Sequence, residues 1–260
     1  MITSASNGRV KYIQTLKSKA SFRKKEGKFI AEGIKMFEEA PKEDILEVYV
    51  KEGAYETFDK EIKKKLERIG YETVSESVFK KVSDTVTPQG IVSVIKMRFF
   101  DVSEIISAEN PLVAVLENIQ DPGNIGTIIR SAEGAGASGI IMSRDCVDIY
   151  NPKVIRSTMG SIFRVKFAYV NEVTDALFAM REKGIASYAC ALDKKALEYD
   201  KYDYKKSSAF VIGNEGNGLK KSTIEACDNS VFIPMCGEVE SLNASVAASI
   251  MMYEGFRQRR

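Results

Sequence analysis

The sequence predicts an α/β protein in two parts, a small mixed α/β unit followed by a larger one built on a parallel sheet. Three observations carry that prediction. From Pro111 onward, apolar runs of strand length alternate with helical stretches, the pattern that places helices on both faces of a parallel sheet. Before about residue 97 the alternation is less regular and opens on strongly basic helical turns. Three polar, glycine-bearing stretches each follow a strand candidate in the larger part, where open parallel sheets receive ligands.

In order, the basic turns lead to KFIAEG, then a helix over 34–40, the strand LEVYV, a charged helix over 55–69 and short strands ending in GIVSVIKM. RFFDVSEIISAEN reads as a connector, so the expected division is 1–97, a linker over 98–109, and 110–260. The strand candidates beyond it are LVAVLE, GIIMS, VKFAYV, IASYACAL, SAFVIG and SVFIP. Helices are expected over 125–134, 152–158, 172–183 and 219–226, with a last one from about 243 to the basic RQRR.

Composition narrows the chemistry. The chain has 260 residues, 44% hydrophobic and 28% charged, enough for a substantial core without metals or disulfides. It holds no histidine, so no Ser-His-Asp triad, Cys-His pair or histidine-ligated metal is possible, and any general base is Asp, Glu, Lys, Tyr or something less usual. Its four cysteines are widely spaced and read as buried or half-buried thiols in a reducing cytoplasm, with no metal expected. No apolar run approaches the roughly 20 residues of a membrane span, and the N-terminus lacks the apolar core of a secretion signal. Net charge is only +2. Residues 1–35 nevertheless carry nine basic side chains, among them Arg9, Lys11, Arg23, Lys24 and Lys25, against Glu26 and Glu32. By itself that excess suits a solvated helix face as well as a phosphate-binding surface.

Two glycine patterns are decoys. Gly134, Gly136 and Gly139 spell the G-x-G-x-x-G of dinucleotide sites, but a helix precedes them and a strand follows, the reverse of what pyrophosphate binding needs. They are expected to end a helix and make a tight turn. GNEGNGLKK has the glycine spacing of a phosphate loop, but Leu219 and Lys220 stand where the lysine and hydroxyl belong.

The three polar stretches are NIQDPGNIGTIIR, IGNEGNGL and IPMCGEVESLNAS. Each has a bland explanation: Asn124 as a helix cap, GNEG as a plain loop, Ser241 or Asn243 capping the last helix. Their convergence at one sheet edge would instead make a site. In sequence, NIQDPGNIGTIIRSAEGAG, VIGNEGNGL and IPMCGEVESLNASVAASIMMYEGFRQR resemble the three motifs of the SpoU (TrmH) family of RNA ribose methyltransferases, in the SPOUT superfamily. NPKVIRSTMGSIFRV between them also resembles that family, so the likeness spans essentially all of 110–260. KFIAEGIKMFEEA resembles the accessory RNA-binding domain of many members, which tips the basic N-terminal residues toward RNA.

The resemblance implies a trefoil-knotted parallel-sheet SPOUT domain preceded by the small α/β RNA-binding domain. It also implies a homodimer and S-adenosylmethionine held in the knot. On matching positions it implies catalytic roles for Asn124, Arg130, Glu215, Ser241 and Asn243. It implies a cofactor pocket at Leu192, Gly213, Ile233, Met235 and Leu242. The family pattern proposes Arg130 as proton acceptor. A charged guanidinium, with a pKa above roughly 12, offers no lone pair. The expectation is therefore that Arg130 holds the phosphate beside the target ribose and favours the alkoxide, oriented by Glu215 and Asn124. Tyr150 and Ser157 are polar and close in sequence, and suit packing or RNA contact as well as catalysis. The implied activity is 2′-O-methylation of a ribose in RNA, with ribosomal RNA favoured by the accessory domain. The alternatives are a tRNA substrate, a base methyl acceptor, or a non-catalytic RNA-binding or ribosome-assembly factor.

Overall fold

In the computed structural model, which describes residues 1–239 and 241–260, the basic start of the chain is helical because its apolar residues recur at one-turn spacing. Val10, Ile13 and Leu16 are buried along α1 (Gly8–Ser18), and Asn7 caps it by accepting from the Arg9 N–H at 2.9 Å. The helix α2 (Ala20–Glu26) ends at Gly27, whose φ of 63° suits glycine. There follow β1 (Lys28–Glu32), α3 (Ile34–Glu39), β2 (Ile45–Lys51), α4 (Ala54–Thr57), α5 (Lys60–Ile69), β3 (Glu72–Val74), α6 (Glu76–Val82) and β4 (Ile91–Lys96). The helix expected over 55–69 is two, because Asp59 accepts from the Ile62 N–H at 2.9 Å and starts α5 afresh. The sheet runs β1-β4-β2-β3, with β4 antiparallel to both neighbours and β3 parallel to β2. Leu16, Tyr49, Phe79 and Val92 belong to its buried core.

The compact units do not follow the linear division expected from the sequence. One comprises Met1–Arg98 with Asp148–Phe163, the other Phe99–Val147 with Arg164–Arg260. A buried ion pair explains the exchange: Arg23 donates to Asp148 from Nε at 3.0 Å and Nη2 at 2.5 Å, and its Nη1 donates to the Leu16 and Lys17 carbonyls. Arg23 is 3% exposed, which corrects its placement on the RNA-binding surface. Its charge is spent inside the unit. Arg9, Lys11, Lys24 and Lys25 are exposed as expected, with Arg9 paired to Glu72 at 3.2 Å. Tyr150 is also structural, its ring 4.6 Å from that of Phe29 and its hydroxyl donating to the Arg98 carbonyl at 2.7 Å. Ser157 donates to the Lys153 carbonyl within its own helix.

The second unit opens with α7 (Val102–Ile106), a helix inside the supposed connector, started by the Asp101–Glu104 capping box. Then come β5 (Leu112–Leu116), α8 (Pro122–Gly134), β6 (Gly139–Ser143), α9 (Pro152–Thr158, which belongs to the first unit), β7 (Phe167–Val170) and α10 (Val173–Glu182). The rest is β8 (Ala186–Cys190), β9 (Leu197–Glu198), β10 (Ser208–Ile212), α11 (Lys221–Ala226), β11 (Asn229–Phe232) and α12 (Ala244–Arg259). Among the described residues the strands pair in the order β7-β6-β5-β10-β8-β11-β9, every pairing parallel. All six strands expected in this part are present, and two-residue β9 is an addition at the edge. The first glycine decoy resolves as expected: Gly134 ends α8, Gly136 turns at φ 67° and Gly139 begins β6. Cys146 is buried, Cys190 and Cys227 are half-buried, and Cys236 is exposed, against the expectation of four covered thiols.

The last helix is clasped at its end. Arg259 donates to the carbonyls of Tyr204 and Asn110 at 2.8 Å, Lys206 at 2.6 Å and Pro111 at 3.3 Å, the segments that lead into β10 and β5. Desolvation pulls its guanidinium pKa down, but the carbonyls occupy its donors. Arg259→Ala is expected to cost about 2–3 kcal/mol and to lower the melting temperature by several degrees, read by differential scanning calorimetry.

Candidate active site

Topology brings the three polar stretches together. β5 and β10 are neighbours in register Leu116↔Ile212, β8 lies on the far side of β10, and β11 pairs β8 with Cys190↔Val231. Parallel pairing therefore places the loops after β5, β10, β8 and β11 along one carboxyl edge.

The first two loops are tied side chain by side chain. Asn118 adopts φ 56°, which asparagine tolerates, and its carbonyl accepts from the Asn214 amide at 2.8 Å. The buried Glu117 carboxylate accepts from the Lys220 N–H at 2.8 Å and the Thr223 hydroxyl at 2.7 Å, fixing the start of α11. Asn124, 7% exposed, donates from its amide to Glu215 Oε1 at 2.6 Å. Asn124 is not the helix cap. Asp121 is, accepting from the Asn124 N–H at 2.8 Å with Pro122 in the first turn, so α8 begins earlier than 125.

The second loop folds back on itself, Asn214 and Gly218 exchanging backbone hydrogen bonds of 3.1 and 2.9 Å. The Asn214 side-chain oxygen accepts from the Gly216 and Asn217 N–H groups. A Cβ on Gly213 would stand 2.3 Å from the Gly218 carbonyl carbon and 2.4 Å from Leu219 N. The glycine is needed for this backbone approach, not for phosphate. Gly213→Ala is expected to displace the loop and reduce S-adenosylmethionine affinity at least about tenfold, measured by calorimetric titration.

Leu192, Ile233, Met235 and Leu242, four of the positions expected to hold the cofactor, line one cleft together with Ser241; Gly213 is not in its wall. Sequence reading missed Val231 and Phe232 of β11 and Ala247 and Met251 of α12, which also line the wall. Their signal lay only in being at a strand end or on an inward helix face. Cys190 is at the same wall, and burial pushes its thiol up to about 12, which keeps it protonated and unfit as a nucleophile. A mostly apolar wall with one hydroxyl and loop backbone suits an adenine ring and a sulfonium methyl group. The residues present fit S-adenosylmethionine.

Asn243 caps α12, its oxygen accepting from Ser245 N–H at 2.9 Å and Ser245 hydroxyl at 2.7 Å. Ser241 is exposed just before it. Among the described residues no hydrogen bond or ion pair joins Arg130 to the Asn124–Glu215 pair that was expected to orient it. It lies six residues beyond Asn124, about 9 Å along α8 and on a different side. It is exposed, and among the described residues nothing pairs with it. Asn124 and Glu215 tie the start of α8 to the loop after β10.

Comparison with known proteins agrees with this geometry. The sequence model of the SpoU rRNA Methylase family matches residues 111–253, and that of the MRM3-like substrate binding domain matches residues 7–93. A Bacillus subtilis protein, 23S rRNA (guanosine(2553)-2′-O)-methyltransferase RlmP, is 33% identical over 97% of both chains. Among solved structures, an AdoMet-bound rRNA methyltransferase from Sinorhizobium meliloti superposes with a TM-score of 0.85 at 29% identity, covering 98% of this chain and 97% of that one. The SpoU methyltransferase AviRb from Streptomyces viridochromogenes, in complex with AdoMet, gives 0.84 at 29% identity over 97% and 98%. With the family's model matched over more than half its length and a relative one-third identical along nearly all of it, this chain belongs to the SpoU rRNA methylase family.

Proposed function

We propose that this chain is an S-adenosylmethionine-dependent enzyme that methylates a ribose 2′-hydroxyl in ribosomal RNA. The observation that carries the reading is the neutral cleft beside two loops tied by Asn124–Glu215 and Asn214–Asn118, at one edge of a parallel sheet. Relatives named 23S rRNA 2′-O-methyltransferases, one matching along the whole chain, support the substrate class.

When bound, the cofactor supplies an electrophilic methyl group. Leu192, Ile233, Met235 and Leu242 hold its apolar parts, and Ser241 offers a hydroxyl beside them. A ribose hydroxyl is a poor nucleophile, so it must be aligned and stabilised as its oxygen takes the methyl group, the S–C bond breaks to leave a neutral thioether, and the hydroxyl proton passes to water. Arg130 does this from α8, gripping the adjacent phosphate in a bidentate fashion and favouring negative charge on the attacking oxygen. Asn124, Glu215 and Asn243 act as positioning residues. Exposed Arg9, Lys11, Lys24 and Lys25 hold the RNA backbone.

The reading includes the knot and the homodimer implied by the family resemblance, and work in the cytoplasm. Support for the dimer comes from α12, which carries apolar residues on both its buried and its open sides. Met251 and Met252 are buried, whereas Val246, Tyr253 and Phe256 are 45%, 47% and 37% exposed. A helix with apolar residues on its open side is covered by a partner surface. Tyr253→Glu with Phe256→Glu is expected to convert the dimer to monomer in light scattering and to lower turnover at least about tenfold. Among the described residues no helix is long and apolar enough to cross a membrane. Calorimetric titration with S-adenosylmethionine tests the enzyme against the non-catalytic alternative; saturable binding is expected, and its absence contradicts the proposal.

A further inference from the structure

Between α6 and β4, residues 83–90 form a loop whose tip carries Val86, 100% exposed. A lone exposed apolar residue is ordinary, but this one is held on a pinned support. Glu32 fixes one foot of the loop: its carboxylate accepts from the Ser83 hydroxyl, from the Thr85 hydroxyl at 2.6 Å and from the Asp84 N–H at 2.9 Å. Lys17 reaches the same foot, donating to the Ser83 carbonyl at 2.9 Å and pairing with Asp84 at 2.8 Å. Gln89 fixes the other foot by accepting from the Ile34 N–H at 2.8 Å. Beside it Gly90, at φ 81°, comes so near Ala54 that a Cβ would sit 2.5 Å from the alanine methyl. Val86 is thus presented in advance, and little ordering remains for binding to supply.

The surroundings are basic. Lys80 and Lys81 are exposed on the last turn of α6, and Arg156 of α9 lies 3.7 Å from Asp84. Cations and acids share ion pairs here, Lys80 with Glu76 at 3.2 Å and both Lys17 and Arg156 with Asp84, and the four cations Lys17, Lys80, Lys81 and Arg156 outnumber the three acids Glu32, Glu76 and Asp84. An apolar tip on a loop whose foot carries an excess of cations matches a polyanion that exposes an apolar face, which is an RNA loop with an unstacked base. We propose that Val86 is a wedge pressed against such a base of the substrate RNA, with Lys80, Lys81 and Arg156 on the flanking phosphates. The inference rests on the reading of this chain as an RNA methyltransferase and adds a recognition point within its first unit.

The test titrates full-length wild type and V86D with deproteinised 23S ribosomal RNA, read by filter retention without S-adenosylmethionine. Binding by V86D is expected to be at least about tenfold weaker, the worth of one desolvated valine, with V86I within about twofold of wild type. Melting temperature and S-adenosylmethionine affinity are expected to be unchanged in both. In a second measurement, full-length protein carrying p-benzoylphenylalanine at position 86 is irradiated with isolated ribosomal subunits, and crosslinks to RNA are expected. Equal RNA retention by V86D and wild type, no retention by either, or crosslinks only to ribosomal protein overturns the proposal. Retention requires no methyl transfer, so a chain that bound RNA through Val86 and transferred nothing would contradict the catalytic reading alone.

Discussion

Arg130→Ala is expected to lower methyl transfer to RNA by about 10²–10³-fold while leaving S-adenosylmethionine affinity within about twofold. The guanidinium is exposed on α8 with no partner among the described residues, so its removal breaks no hydrogen bond or ion pair among them. In the proposed mechanism its worth is realised only when a phosphate and a developing alkoxide are present, which puts the expected loss in turnover. Arg130→Lys keeps the charge but loses the planar fork, and is expected to recover less than a tenth of the wild-type rate. Single-turnover transfer of labelled methyl, with cofactor binding measured separately, checks both variants. Near-full turnover by the lysine variant would contradict bidentate positioning.

Arg23→Ala is expected to destabilise the first unit by about 3–5 kcal/mol, the largest stability effect of any single substitution considered. It strands the Asp148 carboxylate, which is 15% exposed, and leaves the Leu16 and Lys17 carbonyls without their donor. A melting temperature lower by about 10 °C or more in calorimetry is the expected readout. Replacing both partners, Arg23→Met with Asp148→Leu, is expected to recover most of the loss, because the cost lies in the uncompensated charge. A single variant that melts with wild type would show that the pair does not hold residues 148–163 in place.

Most of the second unit was legible in the sequence, because parallel strands buried on both faces read as short apolar runs between helices. The decoy at Gly134–Gly139 was also legible, since order along the chain decides between a phosphate turn and a helix end. Long-range pairing was not. No local pattern marks Arg23 as the partner of a carboxylate 125 residues away, and a run of cations looks the same whether or not one of them turns inward. The start of α8 was misplaced because Asp121 and Asn124 are both good caps, and only the observed hydrogen bond selects Asp121. In the candidate site, four of the five positions expected to hold the cofactor share a cleft wall, because loops at the ends of adjacent strands must converge. The relation between Arg130 and Glu215 was not legible. It depends on which way side chains leave a helix relative to a neighbouring loop, and there Glu215 turned to Asn124 instead.

The most direct measurement is transfer of labelled methyl from S-adenosylmethionine to ribosomal RNA from cells lacking this gene, presented as naked RNA and as isolated subunits, followed by digestion to nucleosides. The expected result is label in a single 2′-O-methylated nucleoside, retained on the sugar after base release and absent when Arg130→Ala replaces wild type. Label recovered on a base would contradict ribose methylation. Binding of RNA with neither cofactor affinity nor transfer would contradict the enzyme itself.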